Sequence, residues 1–422
     1  MTEGNGNGRH YERRRVVVTG MGTVNPVGNN ISEFWSSLLE GRSGASPITE
    51  FDTTRLATKF AGLLHDFAPA DYLDRRTMQR TSRFIQLALI TARMALEDSD
   101  VELAGIDPFR CGVELGTGIG GFDMMTEQSN QYLNGGRLHP LFVTMVIPNI
   151  AAAQVAMAHG LKGQNSTICT ACAASTHAIG TAFQAIRHGY ADLMLAGGSE
   201  ASLCQVGVTA FNSIKALSTR NDDPETASRP FDKDRDGFVP AEGAGILVLE
   251  SLDLAVQRGA RIYGEVVGYG NTDDAFHQVA PDETGEAPAR TIQLALEDAG
   301  IGPESVDYVN AHGTSTQLND RAETKALKLA LGEHAHRVAI SSTKSMVGHL
   351  LGAAGGVEAI ATLLSIQHGT VHPTINYSTP DPECDLDYVP NEPRRLDIRY
   401  AISNGFGFGG QNSVVVLKRY ED

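Results

Sequence analysis

"RVVVTGMG" (15–22) is a β-branched run that ends in spaced glycines, and it reads as a strand entering a glycine turn. "EVVGYG" (265–270) repeats the pattern far downstream. Three more echoes follow in the same order. "RMALEDSD" (93–100) returns as "IQLALEDAG" (292–300), with Leu296 standing 200 positions after Leu96. "FQAIRHG" (183–189) returns as "LLSIQHG" (363–369), with Gly369 180 positions after Gly189. "LMLAGGSEA" (193–201) has its place taken by "YAISNGFGFGG" (400–410). Four echoes in one order imply an internal duplication. Short apolar strands alternate with amphipathic helices in both copies, so the class is α/β. The join falls near "LAVQRGARIYG" (254–264). The expected organisation is a flexible polar tail over 1–14, a first half over 15–258 and a second half over 259–422.

Composition narrows the function. The 422 residues are 41% hydrophobic with 45 glycines and 6% aromatics, which suits close helix–sheet packing in an enzyme. Thirty-four basic and 50 acidic residues leave a net charge of −16. Such a chain repels nucleic acid and anionic membranes, so an acidic partner needs a local basic patch. "DRRTMQRTSR" (74–83) offers one, through Arg75, Arg76, Arg80 and Arg83. Five scattered cysteines do not form a disulfide framework. No secretory leader and no run of membrane-spanning length is visible, so a cytoplasmic protein with reduced thiols is expected. "TRNDDPETASRPFDKDRDGF" (219–238) reads as a solvated loop of turn-formers and charges, with an active-site wall as the alternative.

"ICTACAAST" (168–176) sets Cys169 and Cys172 three positions apart. A zinc site needs a second cysteine or histidine cluster at suitable spacing, and the chain has none. A redox pair would open a helix after a first strand, whereas Cys169 still belongs to a strand. Cys169 is expected to pack there inertly. Cys172 starts a helix, where the positive end of the dipole favours a thiolate. Ala171, Ala173, Ala174 and Ser175 are small and leave room for an attached acyl group. "NAHGTSTQLNDRAE" (310–323) carries His312, and "SSTKSMVGHLLGAAGG" (341–356) carries Lys344 and His349. In a duplicated frame these loops lie at corresponding sheet ends, where α/β sites gather.

These motifs, with "IPNIAAAQVA" (147–156), "GGSEA" (197–201) and "SNGFGFGGQN" (403–412), resemble the β-ketoacyl-acyl-carrier-protein synthases of the elongating KAS II type, from about Arg15 to Arg419. The resemblance implies a thiolase-like fold, with duplicated halves in five α-β-α-β-α layers. It implies a decarboxylating Claisen condensation in which Cys172 accepts the acyl chain. His312 and His349 then steady the malonyl-derived enolate, with Lys344 and Glu323 as a supporting charged pair. The backbone of Cys172 and Phe406 supplies oxyanion donors, and Phe406 also gates. Thr314 and Thr316 bind the pantetheine arm beside Phe408, while Ile119 and Phe211 line the acyl channel. The arginine patch docks an acidic acyl carrier protein, which brings its own phosphopantetheine; no resident cofactor or metal is implied. The subunit pairs as a homodimer, or as a heterodimer with a homologous chain-length factor in a polyketide or polyene system. Degradative thiolases use a second cysteine, and Cys384 lies outside the matching glycine motif. A non-catalytic partner subunit would lack Cys172, and a Cys–His thioester hydrolase would have no need of the malonyl-handling histidines. Four positions, in three places, depart from the family: Ser175 and Thr176 just past the nucleophile, Thr144 in "HPLFVTMVIPN" (139–149), and Val279. These departures suggest a specialised substrate.

Overall fold

The computed structural model describes residues 13–421. Of the tail expected over 1–14, residues 1–12 lie outside the described residues. Arg14 is held, its N–H donating to Arg187 O at 3.0 Å and its guanidinium to Asp192 at 2.7 Å.

The first half runs β1 (Val16–Val24), α1 (Arg83–Ser99), β2 (Cys111–Gly116), α2 (Ile150–His159), β3 (Asn165–Ile168), α3 (Ala174–Arg187), β4 (Leu193–Glu200) and β5 (Gly243–Ser251). The second runs β6 (Gly264–Asp273), α4 (Glu286–Ala299), β7 (Tyr308–Asn310), α5 (Gln317–Leu331), β8 (Ala339–Ser341), α6 (Ala354–His368), β9 (Tyr400–Gly407) and β10 (Gln411–Lys418). Both halves order their strands identically. The ten-stranded array reads β8-β7-β9-β10-β6-β1-β5-β4-β2-β3, symmetric about the β6–β1 junction. That junction is a short antiparallel pairing of Val16–Val18 with Gly264–Val266.

The spaced glycines explain how each half packs. A Cβ on Gly20 or Gly22 would collide with the α1 backbone at Ala95 and Thr91. A Cβ on Gly268 or Gly270 would collide with α4 at Ala295 and Thr291. The same two notches therefore seat the same helix twice. Helices α1 and α2 cover the outer face of the first five strands, and α4 with α5 the outer face of the second. Helices α3 and α6 touch strands of both halves and form the shared middle layer. This makes the thiolase-like five-layer arrangement. The middle position also accounts for the composition of α6, which is buried from Ala354 to Ile366.

Two expectations change. The segment 219–238 is not solvated at its core. Arg235 is buried and bonds Asp381 at 2.7 Å and Asp320 at 3.3 Å, while Asp232 accepts from Ser378 and Thr379. Phe231 stacks on Tyr388 at 3.9 Å. The loop is riveted to the second half and forms a wall. Cys169, expected to pack inside, is exposed, because β3 is the last strand of the array and its face stays open.

Candidate active site

Cys172 lies in a 3-10 turn, Ala171–Ala173, that leads directly into α3. Ala171 takes a left-handed φ of 47°, a strained setting for alanine that turns the chain sharply from β3 into the helix. Gly407, at the end of β9, comes so close that a Cβ there would sit 3.1 Å from the Cys172 nitrogen. Cys172 is fully buried. Desolvation pushes its thiol up to about 12, against the pull of Lys344 and the Phe408 N–H, which donates to the sulfur. Burial thus opposes the thiolate that the helix start favours.

His312 follows β7 and His349 follows the turn after β8, so equivalent sheet ends deliver both rings. Cys172 Sγ and one ring nitrogen of each histidine all lie within 4.8 Å of one another. The two imidazoles meet edge to face at 5.4 Å, with Phe406 against His312 and Phe238 against His349. Desolvation and then the Lys344 charge hold both histidines well below their usual range, so both are neutral. Their tautomers are set from behind. Leu351 N–H donates to His349 Nδ1 at 3.3 Å. The Lys344 ammonium, which can only donate, lies 3.2 Å from His312 Nδ1. Each ring then carries its proton on Nε2.

Lys344 is paired with Glu358 on α6 rather than with Glu323, which corrects the expected pair. Glu323 accepts from His312 N at 2.8 Å, Gly313 N at 2.7 Å and Asn404 Nδ2 at 3.0 Å. It braces the histidine loop, and burial pushes its carboxyl up to about 7. Glu358 escaped the sequence reading, although one carboxylate inside the apolar run "GAAGGVEAIA" (352–361) is a usable signal, since a buried charge needs a partner.

A cavity of about 520 Å³ opens over this cluster. Cys172, His312, His349, Thr314, Thr316 and Phe408 all line it. Thr314 Oγ1 and Thr316 Oγ1 lie 3.0 Å apart on its wall. Phe406 and Glu323 border it, as does Val279. Ile119 and Phe211 are not among its lining residues. Phe211 instead packs on Phe238 in the apolar cluster that includes Cys172 and Leu351. Arg75, Arg76 and Arg80 are exposed, whereas Arg83 is engaged by Glu242 through two 2.6 Å bonds and leaves the expected patch. Ser175 and Thr176 do not face the cavity as substrate selectors. Ser175 Oγ accepts from Gly356 N at 3.0 Å, and a Cβ on Gly355 would strike Thr176, so both pack α3 against α6.

One donor set has the spacing of a metal site. The fold collects Cys172, His312 and His349 from distant positions into a cluster with the softness of a zinc site, which no local spacing announced. Elsewhere in the second half, the buried oxygens Asn310 Oδ1, Glu358 Oε2, Ser403 Oγ and Asn404 Oδ1 each have no hydrogen-bond partner.

Two family descriptions match the chain: "Beta-ketoacyl synthase, N-terminal domain" over residues 13–255, and "Beta-ketoacyl synthase, C-terminal domain" over residues 263–378. The chain is 49% identical to 3-oxoacyl-[acyl-carrier-protein] synthase 2 of Synechocystis sp., over 98% of this chain and 100% of the relative. It is 48% identical to the Staphylococcus aureus protein of the same name, over 97% and 99%. Among solved structures it is similar to the ishigamide ketosynthase/chain length factor, with 37% identity, a TM-score of 0.91, and 97% and 100% coverage. It is also similar to a type II polyketide ketosynthase solved with its acyl-carrier protein and a hexaketide, with 40% identity, a TM-score of 0.87 and the same coverage.

Proposed function

The chain belongs to the β-ketoacyl synthase family, whose members elongate acyl chains by decarboxylating condensation, and we propose that Cys172, His312 and His349 divide the chemistry of that reaction. The acyl group arrives as a carrier-protein thioester. Cys172 sulfur bonds its carbonyl carbon, the pantetheine C–S bond breaks, and the thiol proton leaves with the departing sulfur. Starting from a thiol is no obstacle, because this exchange is neutral overall. The backbone N–H groups of Cys172 and of Phe408, whose N–H reaches the sulfur where Phe406 was expected to, receive the oxyanion of each tetrahedral intermediate. Malonyl-carrier protein then enters past Thr314 and Thr316. Its carboxylate leaves as CO2, and the electron pair passes into an enolate. Two neutral imidazoles with Nε2–H donors meet that charge without competing as bases. The carbanion attacks the Cys172 thioester, the C–S bond breaks, and the thiolate takes a proton from water. The 3-oxoacyl chain leaves on its carrier.

The observation that carries this reading is the clustering of one sulfur and two ring nitrogens within 4.8 Å, with both Nδ1 atoms already engaged from behind. A hydrolase would need a histidine free to take the thiol proton.

The proposed partner is an acyl carrier protein, with Arg75, Arg76 and Arg80 as its docking contacts. The subunit interface is proposed at the open β3 edge and the neighbouring apolar face. Val143, 64% exposed, lies in the short helix Phe142–Val146 that packs on α2 beside β3. Thr144 sits on this face, so its departure bears on subunit choice, whether a second copy or a chain-length factor. The domain boundaries are taken at 15–258 and 259–422. Among the described residues no helix is long and apolar enough to cross a membrane, and a cytoplasmic location is proposed. The test is incubation with acyl- and malonyl-carrier protein. A β-ketoacyl product with a Cys172 acyl adduct, lost in Cys172→Ala, is expected. Free acid, or an adduct that survives the substitution, overturns the assignment.

A further inference from the structure

Glu200, at the end of β4, is buried and stands at a three-way junction beneath the nucleophile. Its Oε2 accepts from Gly118 N at 2.5 Å and Gly352 N at 3.2 Å, and the Ile119 N–H also donates to the carboxylate. Its Oε1 has no partner. Three glycines make this convergence sterically feasible. A Cβ on Gly198 would come within 2.6 Å of Gly116 O, 2.7 Å of Gly352 O and 2.9 Å of Ser175 Cβ. A Cβ on Gly352 would collide with Gly118 and Thr117, and one on Gly116 with Ala174 and Ser175. Strand β4, the loop after β2 and the turn at Leu351–Gly352 thus meet at one carboxylate, with the start of α3 packed on the glycines beside it.

The duplication gives this contact its meaning. In the second half, Glu323 accepts the N–H groups of His312 and Gly313, the second and third residues after β7. In the first half, Glu200 accepts those of Gly118 and Ile119, the second and third residues after β2. Two carboxylates from unrelated positions clamp equivalent loops. Glu323 braces the loop that bears the decarboxylating histidine. Glu200 braces its twin, and it also ties that twin to Leu351, which lines the cavity beside Cys172.

We propose that Glu200 is a positioning residue for acyl transfer: it locks the Thr117–Gly121 loop to the Leu351–Gly352 turn and so fixes the wall against which the Cys172-bound acyl chain lies. The inference rests on Cys172 being the acyl acceptor. Its effect falls first on acyl loading and on chain-length preference; it reaches decarboxylation only at second hand, through the Leu351 N–H that donates to His349 Nδ1.

The test uses the full chain with Glu200→Gln and, separately, Gly118→Ala, whose new Cβ would press to 2.8 Å from Glu200 Oε2. Loading of Cys172 from short and long acyl-carrier proteins is followed by intact mass, and CO2 release from malonyl-carrier protein is measured in parallel. Misplacement of the wall predicts a loss of about 10²-fold in loading, larger for the long chain. Decarboxylation falls by less than about tenfold, because Glu200 touches neither histidine and reaches His349 only through the Leu351 N–H. Should Glu200→Gln fail to fold, Gly118→Ala reads the same contact from the loop side. Loading and CO2 release that fall together, or loading that does not change, overturn the proposal. A wild-type chain that never loads Cys172 overturns the underlying assignment instead.

Discussion

Replacing Glu358 by methionine should separate the stability of this site from its chemistry. The Lys344 and Glu358 side chains are 1% and 2% exposed. Glu358→Met strands a buried ammonium, which costs about 3–5 kcal/mol. At roughly 2 °C per kcal/mol, the lower end for large domains, the melting temperature falls by about 6–10 °C. Lys344→Met costs less, because Glu358 is already raised by burial and takes up a proton rather than remain a lone anion. The double variant Lys344→Met/Glu358→Met exchanges an ion pair for apolar volume and returns to near wild-type stability. Its chemistry does not return. Without the ammonium at 3.2 Å, His312 Nδ1 is no longer obliged to accept, and the Nε2–H donor is lost part of the time. Losing one such donor costs about 10²–10³ in rate, or roughly 3–4 kcal/mol. The assays are thermal melting, CO2 release from malonyl-carrier protein, and nitrogen NMR of the imidazole tautomer. A double variant that melts like wild type and still decarboxylates within tenfold of it would refute the tautomer argument.

Charge reversal at Arg75 and Arg76 should raise KM for carrier-bound substrates while sparing small thioesters; equal effects on both would remove the docking role. Burial lowers His372 to about 4, so the unfolded chain binds its proton more readily between pH 4 and 6.5. Stability from this group is full above about 6.5 and lost as pH falls through about 4, amounting to about 3 kcal/mol. Melting curves across that range should be flatter for His372→Gln, and an unchanged slope would contradict the assignment. Gly270→Ala drives a methyl into the α4 backbone at Thr291 and should cost at least about 1–3 kcal/mol by overpacking. A denaturation midpoint equal to wild type would mean that the notch has slack.

The duplication was legible because each half reuses local chemistry. Gly20 and Gly22 recur as Gly268 and Gly270, and each pair answers to a helix 200 positions from its counterpart. Cys172, His312 and His349 were legible because each sits in a short run of small residues whose only use is close approach. The partners were harder to see. Lys344 pairs with Glu358 across 14 positions and two elements, and nothing local chooses it over Glu323. The segment 219–238 looked solvated because its charges find their mates, Asp320 and Asp381, only after folding. Cys169 looked internal because β3 reads as any strand does; that it ends the array is a property of strand order, which local pattern does not encode.

Ala171 and Leu351 hold the same left-handed bend, φ 47° and 48°, at equivalent turns of the two halves. The residue after the bend is Cys172 in one half and Gly352 in the other. Gly352 admits no Cβ, since Thr117 and Gly118 already occupy that space. A nucleophile therefore cannot be moved to the twin position by point mutation. The two copies are no longer interchangeable: the second elbow is given over to packing against the first half, and only one half can carry the acyl chain.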